Sequence, residues 1–272
     1  MKFLVLFVGK TNFTAPLTLT LKTLHDSIPS FLKFVFKHQI RSGCGTVDQH
    51  RTTGDILLGC LGGMKIYSRD SGEVRHVTYH VRARVVEYKG EVFISHHDDN
   101  ETVIKVIKYD TAKKTSEFLF SFPMKSINSY FLSVSDHFIA SLDTDNNTIK
   151  LYNRQTGNRS GSDTLTTLTL PEYHAITNFT LRTDHTLLVT GWEKDKTKKL
   201  NKYRVNGDRL HLIWSCRDVP DVPAGIAVDD RGRIYVSGCK TKTIYVLSDE
   251  GEILLKFSLI HRWSEGVLGL SL

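Results

Sequence analysis

The chain has 272 residues, of which 40% are hydrophobic and 24% are charged, so disordered, collagen-like and disulfide-scaffold proteins are excluded. Its 36 basic and 29 acidic residues give a formal charge of +7, which permits a nucleic-acid partner without requiring one. This length is sufficient for one large all-β domain with a sizeable core.

The first 40 residues contain three short apolar segments, Phe3–Val8, Leu17–Lys22 and Phe31–Phe36. The first segment is shorter than the apolar part of a signal sequence and far shorter than a membrane span. We therefore predict strands in this region and no membrane partner.

From residue 41 onward, the chain repeats a unit of four short segments rich in β-branched and aromatic residues, separated by polar turns. The second segments of these units are spaced about 36–49 residues apart, which is typical of propeller blades and not of helical solenoids. A β-sandwich has no reason to repeat four-strand units in succession. We therefore predict five consecutive blades, at residues 41–80, 81–125, 126–171, 172–216 and 217–260.

The ends of the chain contain the segments of one further blade. Residues 264–272 resemble only the first strand of a blade, and residues 1–40 offer three strands. Joining the two ends would close the ring and leave no open sheet edge. The sequence thus predicts a single all-β domain over residues 1–272, a six-bladed propeller whose N- and C-terminal strands share one blade.

The clearest repeat is Pro223–Phe257. It contains proline before Gly-Ile-Ala-Val, an Asp-Asp-Arg-Gly turn, Ile-Tyr-Val, and a second turn with Asp249 and Gly251. This pattern resembles an NHL repeat, and residues 41–272 resemble the six-bladed NHL propellers at the C-termini of tripartite-motif (TRIM) proteins. The resemblance implies recognition of a protein or an RNA by the propeller.

Two departures limit what the resemblance implies. The NHL pattern usually places aspartate directly after Ile-Tyr-Val, where this chain has Ser237 and Gly238. The RING, B-box and coiled coil of TRIM proteins are absent, because no cysteine and histidine array here could hold their zinc ions. Ubiquitin ligase activity is therefore not expected.

The four cysteines, Cys44, Cys60, Cys216 and Cys239, lack the C-x-x-C spacing of zinc and redox sites. We therefore expect free thiols and a reducing, cytoplasmic location.

The sequence contains residue types that could bind a metal, but not in a suitable pattern. His96-His97-Asp98-Asp99 is predicted to be a polar loop, and His76 and His80 on an extended strand would lie about 13 Å apart. A propeller hydrolase or lactonase, resembling gluconolactonase, would need polar ligands on several innermost strands. Only Asn178 and Glu265 are such residues, so we expect no catalytic site, metal or cofactor.

Basic residues recur in loops that are predicted to share one face of the ring. The segment from Glu193 to Lys202 is predicted to be a loop between a second and a third strand, and the lysines near residue 240 occupy the same loop one blade later. Aromatic groups beside them could stack on a ligand. The predicted ligand or RNA-binding rim comprises Lys194, Lys196, Lys198, Lys199, Lys202, Lys240, Lys242, Arg82, Arg84, Trp192 and His174. Acidic residues in corresponding loops, Asp98, Asp99, Asp143 and Asp145, would make this face bipolar.

Three functions remain open from the sequence. The first is a non-catalytic recognition or scaffold module that binds a protein or peptide through its loop faces. The second is binding of single-stranded RNA by the basic loop face. The third is the channel-centred hydrolase described above.

Overall fold

The structure is a computed structural model, and it describes residues 5–8, 44–60, 63–68, 70–71, 73–77, 82–97, 103–123, 131–154, 166–219, 223–238, 243–258 and 267–271. The elements formed by these residues are all strands. None of the described residues belongs to a helix that is long and apolar enough to cross a membrane.

The strands form five four-stranded antiparallel sheets, numbered here as blades 1 to 5, and one two-stranded sheet. The two-stranded sheet joins the ends of the chain, β1 (Val5–Val8) and β22 (Val267–Ser271). The other strands, four to a blade in chain order, are β2 (Cys44–Gln49), β3 (Ile56–Cys60), β4 (Gly63–Tyr67), β5 (Val74–His76); β6 (Arg82–Tyr88), β7 (Glu91–His97), β8 (Val103–Asp110), β9 (Thr115–Pro123); β10 (Leu132–Val134), β11 (Phe138–Asp143), β12 (Thr148–Asn153), β13 (Thr166–Thr169); β14 (Tyr173–Leu181), β15 (Thr186–Glu193), β16 (Lys198–Asn206), β17 (Arg209–Cys216); and β18 (Pro223–Val228), β19 (Ile234–Gly238), β20 (Thr243–Leu247), β21 (Ile253–Ser258).

The prediction of an all-β chain of four-stranded antiparallel blades is confirmed, but the prediction of six such blades is wrong. Within the described residues there are five, and β1 pairs with β22 in a sheet of only two strands. A segment joins a blade only where its backbone N–H and C=O groups hydrogen-bond to a neighbouring strand. The apolar pattern of the sequence does not indicate which strand that is. The predicted strands Leu17–Lys22 and Phe31–Phe36 lie outside the described residues.

The first strands of successive blades form a closed ring. Each contacts the first strand of the next blade, from β2 through β6, β10 and β14 to β18. The strand β22 contacts both β18 and β2, so it lies between blade 5 and blade 1. The two ends of the chain thereby cover the sheet faces that blades 1 and 5 would otherwise expose.

The apolar cores lie between adjacent blades, because alternate residues of a strand point to opposite faces of its sheet. In β15, Leu187 and Val189 pack in the cluster shared with blade 3. Between them, Leu188 packs in the cluster shared with blade 5. Each fully buried leucine of this kind stabilises the fold by about 1.5–3 kcal/mol.

Side chains on the first strands also bind the backbone of the next blade. The Thr46 hydroxyl accepts the Val85 N–H at 2.9 Å, and the Ser133 hydroxyl accepts the Leu181 N–H at 2.8 Å. The first strand of a blade is an edge strand, whose outward N–H groups need such acceptors when they are buried.

The prediction of free thiols is wrong at Cys60, which is disulfide-bonded. Cys44 lies directly opposite Cys60 where β2 pairs with β3. The sequence does not reveal this proximity, because the register of the hairpin brings together two cysteines that are distant in sequence. Cys216 is a half-buried free cysteine, and burial raises the pKa of its thiol.

Candidate interaction surface

The ring has two faces that differ in their connections. The upper face carries the hairpins between second and third strands and the segments that lead from one blade to the next. The lower face carries the turns between first and second strands and between third and fourth strands. This division follows from the antiparallel order of strands in every blade.

On the upper face, the hairpin of blade 4 is an ordered projection. The Glu193 N–H donates to the Thr197 carbonyl at 2.9 Å, and the Lys196 N–H donates back to the Glu193 carbonyl at 2.9 Å. The Asp195 carboxylate accepts the N–H and hydroxyl of Thr197, both at 2.8 Å. These backbone and side-chain hydrogen bonds hold the pKa of Asp195 below its ordinary value.

Four of the predicted rim residues lie together around this hairpin. Lys194 and Lys196 are exposed at its tip, and Trp192 is half-buried where it begins. Exposed His174 is the extra residue of a bulge opposite Trp192, because β14 and β15 pair at Tyr173 with Glu193 and then at Ala175 with Trp192. These four residues, His174, Trp192, Lys194 and Lys196, are called the blade 4 rim below. Lys198, half-buried, pairs in register with Trp192 beside them.

Two predicted rim lysines are not on the rim. The predicted loop from Glu193 to Lys202 is too long, because β16 begins at Lys198. The Lys199 side chain is 10% exposed and forms an ion pair with Glu193. The Lys202 side chain is 7% exposed and binds Asp249 of blade 5. Both ammonium groups are therefore neutralised inside the protein.

The remaining predicted basic residues are Arg82, Arg84, Lys240 and Lys242. Arg84 is half-buried on β6, with its guanidinium 4.5 Å from the centre of the Phe131 ring. Arg82 lies at the start of β6, opposite His97 in the register. Lys240 and Lys242 lie outside the described residues.

The predicted acidic loops are only partly exposed. Asp143 is buried, with its carboxylate 3.6 Å from the Lys150 ammonium and 3.1 Å from the Asn146 amide. Asp145 is exposed in the same hairpin, next to the blade 4 rim along the ring. Asp98 and Asp99 lie outside the described residues.

The predicted polar loop at His96 and His97 is wrong, because both residues belong to β7 and are buried. Among the described residues, no group of three histidine, cysteine or acidic side chains could hold a metal. Asn178 uses its side-chain oxygen to accept the Phe179 N–H at 2.7 Å, and Glu265 lies outside the described residues.

Sequence reasoning missed two exposed histidines on the lower face, His137 and His185. Their rings lie 5.8 Å apart across the boundary between blades 3 and 4. A signal was present, since the dipeptide Asp-His occurs in the first turn of both blades.

No known protein-family profile matches the chain, and no curated protein matches it either. Among solved structures, a chain of "Crystal structure of Nidogen/Laminin Complex" is similar with a TM-score of 0.58 and 12% sequence identity, over 84% of each chain. At this identity the likeness shows the fold alone. The protein is a β-propeller, in agreement with its ring of four-stranded antiparallel blades.

Proposed function

We propose that this propeller is a non-catalytic recognition module that binds a protein or peptide at the blade 4 rim. The observation that supports this is an ordered hairpin presenting two exposed ammonium groups beside a half-buried indole and an exposed imidazole. Tryptophan is enriched where protein interfaces concentrate their binding energy, and charged side chains at the edge of an interface steer association with a complementary partner. The preferred partner is a segment with acidic residues that pair with Lys194 and Lys196.

Two further observations support a protein partner. The similar solved structure is that of a complex of two proteins, nidogen and laminin. The NHL-like repeat at Pro223–Phe257 resembles TRIM propellers, for which recognition of a macromolecule is the expected role. We propose an NHL-like propeller with this role.

The test is affinity capture of proteins by the full chain and by two matched variants. Lys194→Glu with Lys196→Glu reverses the rim charge, and Lys113→Glu with Lys114→Glu reverses two exposed lysines on the lower face of blade 2. We expect capture to fall about tenfold in the rim variant, because charged groups at an interface edge control association, and to persist in the control variant. Equal capture by all three proteins would contradict the proposal.

The same variants distinguish a protein partner from RNA. The upper face offers RNA less positive charge than the sequence predicts, since Lys199 and Lys202 are already paired with carboxylates and are buried. Capture that disappears after ribonuclease treatment, together with salt-dependent binding of a labelled single-stranded oligonucleotide, would replace the protein proposal with RNA binding.

We further propose an oxidising compartment in place of the predicted cytoplasmic location. Cys60 is disulfide-bonded, and such bonds persist mainly outside the reducing cytosol. We expect peptide mapping without reductant to link Cys60 to Cys44, its neighbour in the register. Closing a loop of this size contributes about 3 kcal/mol to the free energy of unfolding, which reduction should remove. Recovery of Cys60 as a free thiol from native protein would contradict this location.

A further inference from the structure

The chain contains more Asn-x-Ser/Thr triplets than its composition explains. Serine and threonine make up 48 of the 272 residues, so about two asparagines in ten should begin such a triplet by chance. Five of the ten asparagines do so, and none of the five triplets has proline in the middle: Asn12, Asn100, Asn146, Asn158 and Asn178. This triplet is the acceptor for N-linked glycosylation where its asparagine lies on the surface of a secreted protein.

Two of these asparagines belong to the part of the chain that the structure describes, and their surroundings differ. Asn146 is exposed in the upper-face turn between β11 and β12. Asn178 is half-buried in β14, the first strand of blade 4, and its side-chain oxygen accepts the Phe179 N–H at 2.7 Å. A bulky, hydrophilic glycan can therefore be accommodated at Asn146 and not at Asn178.

The fold holds the turn around Asn146 without using up its amide. The neighbouring Asn147 anchors the turn to blade 4, because its amide donates to the carbonyls of Tyr173 at 2.8 Å and His174 at 3.3 Å. The Asn146 amide donates one hydrogen bond, to the Asp143 carboxylate at 3.1 Å. An asparagine amide has two N–H groups, and glycosylation replaces one of them. The hydrogen bond to Asp143 can thus persist when Asn146 carries a glycan.

A second observation, independent of the triplets, supports the same modification. Cys60 is disulfide-bonded, and disulfides form in the lumen of the endoplasmic reticulum, through which proteins with N-linked glycans pass. The inference below therefore rests on the oxidising compartment proposed above.

We propose that Asn146 is N-glycosylated. The donor is an oligosaccharide linked to a lipid pyrophosphate: the Asn146 Nδ2 atom forms a bond to its C1 carbon, and the bond from C1 to the pyrophosphate oxygen breaks. The lipid pyrophosphate leaves with the electron pair, and Nδ2 loses one proton. Thr148 completes the acceptor triplet but is 8% exposed in the folded protein, so the transfer precedes the folding of blade 3. The glycan then stands beside the blade 4 rim, since the neighbouring Asn147 contacts His174.

The test is peptide mapping of the protein from its natural source. Peptide N-glycosidase in heavy-oxygen water converts each glycosylated asparagine to labelled aspartate, and a sample without the enzyme controls for spontaneous deamidation. We expect the label at Asn146 and none at Asn178. Digests prepared without reductant report the state of Cys60 in the same protein. An unlabelled Asn146 with Cys60 linked overturns this inference alone, whereas an unlabelled Asn146 with Cys60 free contradicts the proposed compartment as well.

Matched variants of the full chain, secreted from cultured animal cells behind an added leader, test the triplet itself. Asn146→Gln removes the acceptor amide, and Thr148→Val removes the hydroxyl at nearly the same shape, so each should lose one glycan by intact mass. Thr148→Ser keeps the hydroxyl, and Asp145→Gln changes an exposed residue of the same turn outside the triplet, so both should keep the glycan. An unchanged glycan number in both loss variants, or an equal loss in Asp145→Gln, would overturn the proposal.

Discussion

Blade 4 meets its two neighbours through boundaries of different chemistry. Toward blade 5, the Lys202 ammonium donates to the Asp249 carboxylate at 2.6 Å, and Arg182 binds the other carboxylate oxygen. Toward blade 3, the amide of Asn147 donates to the Tyr173 carbonyl at 2.8 Å above an apolar cluster. One boundary is charged and the other is neutral.

The two boundaries differ in which group is left unpaired when one side chain is removed. At the charged boundary, Asp249 also accepts the Trp214 indole N–H on its carbonyl, and Gly251 lies against the Trp214 ring, where a Cβ atom would approach to 2.8 Å. The turn of blade 5 that contains Asp249 and Gly251 thus neutralises the charge of Lys202, which is almost fully buried. At the neutral boundary, the loss of the amide removes its hydrogen bonds to the Tyr173 and His174 carbonyls, which costs less than an unpaired buried charge.

The largest expected effect comes from removing the carboxylate at the charged boundary. Asp249→Ala should lower the free energy of unfolding by about 3 kcal/mol, because it leaves the buried Lys202 ammonium without a counter-charge. Denaturant unfolding of the two proteins measures this difference. Glu250→Ala, one residue further along the same turn and exposed, is the control and should change stability by less than about 0.5 kcal/mol. Equal effects of the two substitutions would show that the ion pair does not hold this boundary.

The second-largest expected effect is the loss of stability at the charged boundary when the pH is lowered. Burial alone raises the pKa of Asp249, but the hydrogen bonds from Lys202 and Arg182 outweigh it, so the net pKa is lowered. A carboxyl whose pKa is lower in the folded state stabilises the fold above its unfolded pKa and loses this contribution as pH falls through its folded pKa. The stability difference between wild type and Asp249→Ala should therefore be constant near pH 7 and shrink below about pH 4. A difference that stays constant down to pH 2 would contradict this explanation.

Breaking the neutral boundary should cost less. Asn147→Gly removes the amide and suits the backbone at this position, where φ is 50°, so the loss reports the side chain and not strain. We expect a loss of about 1–2 kcal/mol that does not depend on pH between 3 and 7. Its effect should add to that of Asp249→Ala, because the two residues lie on opposite boundaries of blade 4. Strong non-additivity in the double variant would show that the boundaries are coupled.

The sequence predicts the repeated strands and turns better than it predicts which residues of different blades contact each other. Four-strand units and the Asp-x-Gly turn at residues 249–251 follow from local patterns of apolar, aspartate and glycine residues. The role of Asp249 does not, because its partner Lys202 lies 47 residues away on another blade. For the same reason the sequence places Lys202 on an exposed rim and the terminal strands in a full blade, and it does not indicate that His137 and His185 lie together. In each case the outcome depends on which strand or turn of the folded protein packs against the residue, and local sequence patterns do not give this.

The smallest expected effect is that of reversing the charge of the two exposed lysines of the blade 4 rim, which we compare with the buried Lys202 of the following strand. Lys194 and Lys196 are exposed and form no ion pair among the described residues, whereas Lys202 is buried against Asp249. Reversing Lys194 and Lys196 to glutamate should change the free energy of unfolding by no more than about 0.5 kcal/mol, because solvent screens exposed charges. Lys202→Glu is the contrasting variant: it places a carboxylate beside the Asp249 carboxylate in a buried site, so, like Asp249→Ala, it should unfold at much lower denaturant concentration. Denaturant midpoints of the two variants at low and high salt test this, and a marked loss of stability in the double exposed variant would mean that the blade 4 rim is part of the folded core and not a free binding surface.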